Sequence, residues 1–124
     1  MKTALLMALM CSASTAHAAG DPARGAAIVA SRSDGLCVLC HAVPGVPEAL
    51  QGTLAPPLAG AGARWDAAML RRRLLEPERF NPETIMPSYG RSDDLLRVAA
   101  ERRGKPLLTA AQIDDVVAYL ASLK

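Results

Sequence analysis

Apolar residues recur at helical spacing in separate stretches of the chain, and proline and glycine crowd the intervals between them. The clearest stretch is the last, where Ile113, Val116, Val117, Leu120 and Leu123 fall on one helical face. Thr109-Ala110-Ala111-Gln112 just ahead has the form of a capping box, so a helix should begin there. A first helix is expected from Asp21-Pro22, with Asp21 as the cap and Pro22 in the first turn, where its missing N–H costs nothing. Its apolar positions are Ala26, Ile28, Val29 and Ala30, and it should end between residues 31 and 35. Gly25 leaves room for a close neighbour, and the last helix should cross the first one there. Residues 65–75 predict another helix, stopped by Pro77, with Leu70 and Leu74 sharing a face with Trp65 or Met69. Residues 93–103 predict a short helix carrying Leu95, Leu96, Val98 and Ala99, broken by Gly104-Lys105-Pro106.

Between these elements the backbone should be irregular. Val43-Pro44-Gly45-Val46-Pro47 opens one such interval, which continues from Gly52 to Gly62 through Ala55-Pro56-Pro57. Asn81-Pro82-Glu83-Thr84-Ile85-Met86-Pro87-Ser88-Tyr89 forms another. Arg71, Arg72 and Arg73 cannot all point one way on a helix, and a solvated basic face is favoured over contact with a partner or a propionate.

The length of 124 residues suits one small domain without repeats. Lys2, the apolar Ala4-Leu5-Leu6-Met7-Ala8-Leu9-Met10 and the small residues ending Ala16-His17-Ala18 have the form of an export signal. The apolar run is too short to span a bilayer. Cleavage after Ala18 would leave residues 19–124 as the domain, discard Cys11, and lower the formal net charge from +2 to +1 with the loss of Lys2. Bulk charge of that size excludes a nucleic-acid or other polyanion binder. Four aromatics, Trp65, Phe80, Tyr89 and Tyr119, are little bulk for a core. A buried apolar cofactor would supply the missing area.

Chemistry concentrates at Cys37-Val38-Leu39-Cys40-His41. This C-x-x-C-H spacing is that of a c-type haem attachment site, in which Cys37 and Cys40 carry thioether bonds and His41 is the proximal iron ligand. A structural zinc site needs four ligands, and the remaining candidates, Cys11 and His17, both lie in the leader. A thioredoxin-like pair would want a βαβ context, yet no strand-period run is near. An iron-bound imidazole gives its other N–H to an acceptor, and a backbone carbonyl around Pro56 is expected to take it. Methionine opposite histidine is a pairing used for electron transfer. Without the leader only Met69 and Met86 remain. Met69 sits beside core leucines, whereas Met86 lies in a proline-bounded loop able to present a thioether, so Met86 is the expected sixth ligand, with Met69 or an open iron as rivals.

The order of helix, C-x-x-C-H, proline loop, helix, methionine loop and closing helix resembles a class I cytochrome c. Gly52-Thr53-Leu54-Ala55-Pro56-Pro57-Leu58, Asn81-Pro82 with Thr84-Ile85-Met86-Pro87-Ser88-Tyr89, and Arg103-Gly104-Lys105-Pro106 before Leu108-Thr109 resemble the SoxX family, the small monohaem subunits of bacterial SoxAX cytochrome complexes. The resemblance covers roughly residue 35 to the end. It implies an all-α fold around one covalently bound haem c, a periplasmic location, and a SoxA-like cytochrome partner subunit. It also implies that the complex joins thiosulfate oxidatively to a cysteine of a SoxYZ-like carrier protein. In that family the sulfur chemistry belongs to a cysteine-bearing haem of the partner, and the small subunit passes electrons to a downstream acceptor. A free-standing periplasmic electron carrier and a haem sensor or peroxidase with an open iron position are the competing readings.

Overall fold

The structure, a computed structural model, describes residues 19–93 and 95–124; the expected leader, residues 1–18 with Cys11 and His17, lies outside them. Helix α1 spans Pro22–Ala30, and the Asp21 side chain accepts hydrogen bonds from the N–H groups of Ala23 and Arg24, as its place ahead of Pro22 predicts. Helix α2 is a single turn, Ala61–Arg64; α3 spans Ala67–Leu75; and α4 spans Ala110–Ser122. Short 3-10 turns lie at Cys37–Leu39, Glu48–Leu50, Pro77–Arg79 and Ala100–Arg102. The described residues form no strand, and one isolated parallel bridge joins His41 to Ala55.

The closing helix starts where the sequence places it. Thr109 and Gln112 bond reciprocally as a capping box, and Ile113, Val116, Val117 and Leu120 are buried along one face. That face crosses α1 at Gly25, where a Cβ would stand 2.0 Å from the Asp115 carbonyl oxygen. Only a residue without a side chain permits this backbone approach. The crossing is clamped by Asp115, itself buried. It accepts from Arg24 Nε at 2.8 Å, from Arg24 Nη2 at 2.9 Å and from the Asp21 N–H at 2.7 Å. The bidentate Arg24 holds the Asp115 carboxyl below the usual carboxylate range, and the Asp21 N–H adds to the effect.

Helix α3 begins two residues later than the expected 65–75. Asp66 caps it by accepting the Met69 N–H, and Trp65 instead ends α2 in an extended conformation. Leu70 and Leu74 enter the core with Val29, Leu108, Val116 and Leu120. Of the basic run only Arg72 is left as an exposed, solvated side chain. Arg71 pairs with Asp114 of α4, and the Arg73 guanidinium stacks between Trp65 at 3.9 Å and Phe80 at 4.4 Å. The expected helix over 93–103 does not form. Among the described residues its one regular piece is the turn Ala100–Arg102; Arg97 takes a left-handed φ of 60°, and Leu96 is 89 % exposed. A segment so short is marginal as a helix without an apolar face to bury.

Candidate functional site

Two loops carry the chemistry. The first leaves α1 through residues 31–35 and turns sharply at Leu36, whose φ of 60° places it in the left-handed region, at a cost of about 1–2 kcal/mol. Hydrogen bonds from Leu36 N to Ser31 O and from Leu39 N to Leu36 O fix that conformation. The 3-10 turn Cys37–Leu39 follows and brings Cys37, Cys40 and His41 onto one short loop. Neither cysteine forms a disulfide; Cys37 is buried and Cys40 partly exposed. Burial pushes the Cys37 thiol up, opposed in part by a hydrogen bond with Tyr89.

The proline loop runs alongside and fixes the imidazole. Ala55 N–H donates to Cys40 O at 3.0 Å, Gly52 N–H to Val38 O at 2.8 Å and Leu58 N–H to Ala42 O at 2.9 Å. Gly52 is needed there, because a Cβ would lie 2.0 Å from the Leu39 carbonyl oxygen. His41 Nδ1 lies 2.6 Å from the Pro56 carbonyl oxygen, at the acceptor the sequence singles out. A carbonyl can only accept, so Nδ1 carries the proton and Nε2 keeps a free lone pair, the state in which an imidazole binds a metal.

Met86 lies in the second loop, half-buried and packed against the same core. This loop is held by an Asn81 turn, with Thr84 N–H donating to Asn81 O and Glu83 N–H to Asn81 Oδ1, and by Met86 N–H to Thr84 Oγ1 at 3.1 Å. Met69 sits half-buried on α3 between the capping Asp66 and the core Leu70. The structure thus gathers Cys37, Cys40 and His41 on one loop and sets Met86 on another. The link it shows between them is Tyr89, which bonds Gly35 across the gap. Sequence reasoning passed over Tyr89, although an aromatic three residues after Met86 in a chain this poor in aromatics was the available signal.

The donor set fits a haem. Two thiols, an imidazole with one nitrogen tied and the other free, and a separate thioether match what c-type attachment and axial ligation require. The described residues hold no cluster of three or more His, Cys, Asp or Glu side chains able to bind an ion. The two loops also leave large apolar side chains in water: Leu39 is 39 % exposed and Ile85 82 %. A flat apolar ring between loops of this kind would cover such surface.

Comparisons with known proteins agree with this chemistry. The family model described as Cytochrome c matches residues 22–124. Among solved structures, "Crystal structure of SoxXA from P. pantotrophus" superposes with a TM-score of 0.77 at 38% identity, covering 87% of this chain and 85% of that one. No curated protein matches.

Proposed function

This chain belongs to the cytochrome c family, as a SoxX-type monohaem member with the all-α class I fold and covalently bound haem c, and from that premise we propose that it is the electron-transfer subunit of a periplasmic thiosulfate-oxidising complex. Haem, when bound, supplies a one-electron iron couple. Cys37 and Cys40 would tether it, His41 would offer Nε2 to the iron while the Pro56 carbonyl holds the ring angle, and Met86 would supply a thioether as a second iron ligand. Residues 1–18 direct export and are removed.

The chain's part is to pass electrons rather than to transform sulfur. With both cysteines of residues 19–124 committed to thioethers and His41 committed to iron, no thiol or histidine of that domain is left for substrate. The sulfur step, joining thiosulfate to a cysteine of a SoxYZ-like carrier, then falls to a SoxA-like partner subunit, and the released electrons pass through this chain to a downstream acceptor. The observation that carries this reading is the 38% identity over 87% of the chain to a protein solved as SoxXA. No helix among the described residues is long and apolar enough to cross a membrane, in keeping with a periplasmic subunit.

Purification under native conditions from a thiosulfate-grown culture tests it. A cytochrome partner should elute with the chain, and electrons from thiosulfate should reduce its haem only when partner and carrier are both present. A chain that runs alone and is reduced without them would be a free-standing carrier instead.

A further inference from the structure

The bond between the two loops comes from one side chain, held from several directions. Tyr89 is 3 % exposed, and its hydroxyl donates to the Gly35 carbonyl at 2.7 Å and lies 3.7 Å from Cys37 Sγ. Its backbone is fixed separately, with its N–H on Leu74 O at 3.0 Å and its carbonyl accepting from Leu108 N–H at 3.1 Å. Next to it, the Ser88 hydroxyl donates to Leu75 O at 2.5 Å. The far anchor is equally rigid. Gly35 is pressed against α1 so closely that a Cβ would come within 2.3 Å of Ile28 O.

Among the described residues, the other hydrogen bonds of loop 81–88 stay within it or reach back to Pro77 and the end of α3. The methionine loop is therefore tied to the thiol and imidazole loop through one phenolic hydroxyl. Once Cys37 is a thioether it has no proton to donate, and Tyr89 becomes the side-chain donor on the buried Gly35 carbonyl. A thioether is a flexible, uncharged ligand, so its retention depends on how firmly its loop is placed.

We propose that Tyr89 is a positioning residue that keeps Met86 on the haem iron, by locking the Met86 loop to Gly35 at the entrance of the haem-attachment turn. The proposal rests on the reading of Met86 as an iron ligand. Removing the hydroxyl leaves the loop held to α3 and to Leu108 but unties it from the attachment turn without breaking the thioether bonds, so Met86 should leave the iron before the helices unfold.

The test compares wild-type holoprotein, Tyr89→Phe and Val29→Ala, the last a core truncation in α1 that lies outside both loops and leaves the Tyr89 hydroxyl in place. Each oxidised protein is heated while the methionine-to-iron charge-transfer band and the far-ultraviolet helix signal are followed together. Tyr89→Phe should carry haem by intact mass and lose the band at a lower temperature, relative to its own helix transition, than wild type, because one buried hydrogen bond holding the loop is gone. Val29→Ala should lower both transitions together. The proposal is overturned if Tyr89→Phe also lowers both together, or if it fails to take up haem, which would assign the hydroxyl to folding of the attachment turn. A wild-type protein without the band would instead overturn the assignment of Met86, and this proposal with it.

Discussion

At the scale of single residues, the site works by denying its side chains alternatives. His41 cannot rotate or change tautomer without giving up the Pro56 carbonyl, so Nε2 is aimed before any metal arrives. Met86→Ala tests the other axial position: the charge-transfer band should vanish and the reduction potential should fall, because histidine with methionine raises the potential of haem iron. An unchanged spectrum would place the sixth ligand elsewhere, with half-buried Met69 the remaining candidate. The five-residue haem motif and the Pro56 acceptor were legible in the sequence, because short-range spacing dictates both. Tyr89 and the stacking of Arg73 between Trp65 and Phe80 were not, since each partner arrives from a different part of the chain. A run of three arginines carries no sign of which one will find an aromatic pair.

Among the elements, α1 and α4 were readable down to their caps and their crossing point, because Asp21, Pro22, Gly25 and the Thr109–Gln112 box each have one local explanation. Segment 93–103 misled for the opposite reason. Its apolar residues are spaced for a helix, but Leu95 and Leu96 bury too little surface to hold one, and the chain turns through Arg97. The helix crossing gives a prediction with competing terms. Gly25→Ala gains about 1 kcal/mol of helix propensity, yet forces a Cβ to 2.0 Å from the Asp115 carbonyl oxygen. Backbone cannot yield as a side-chain tip does, and overpacking of this kind costs roughly 1–3 kcal/mol or more. The clash should win, and thermal unfolding should show a lower midpoint; an unchanged or higher one would mean that the helices separate freely at this point.

For the molecule as a whole, the few aromatics, the apolar side chains left exposed on the two loops and the donor set all point to a fold completed by its cofactor. The Arg24–Asp115–Asp21 clamp contributes to its acid stability. Because the folded carboxyl of Asp115 lies below its unfolded value, its contribution is present above about pH 4 and is lost as pH falls through the folded value. The stability gap between wild type and Arg24→Gln, followed by urea unfolding, should therefore be full at pH 7 and close at lower pH; a gap independent of pH would assign Arg24 a packing role instead. The central claim, covalent haem on Cys37 and Cys40, is tested most directly by intact mass of the chain expressed with haem-maturation machinery, alongside a Cys37→Ser/Cys40→Ser variant. A wild-type mass raised by one haem under denaturing conditions, with no such increase in the variant, is the result predicted; a colourless wild-type chain at the mass of the bare polypeptide would contradict it.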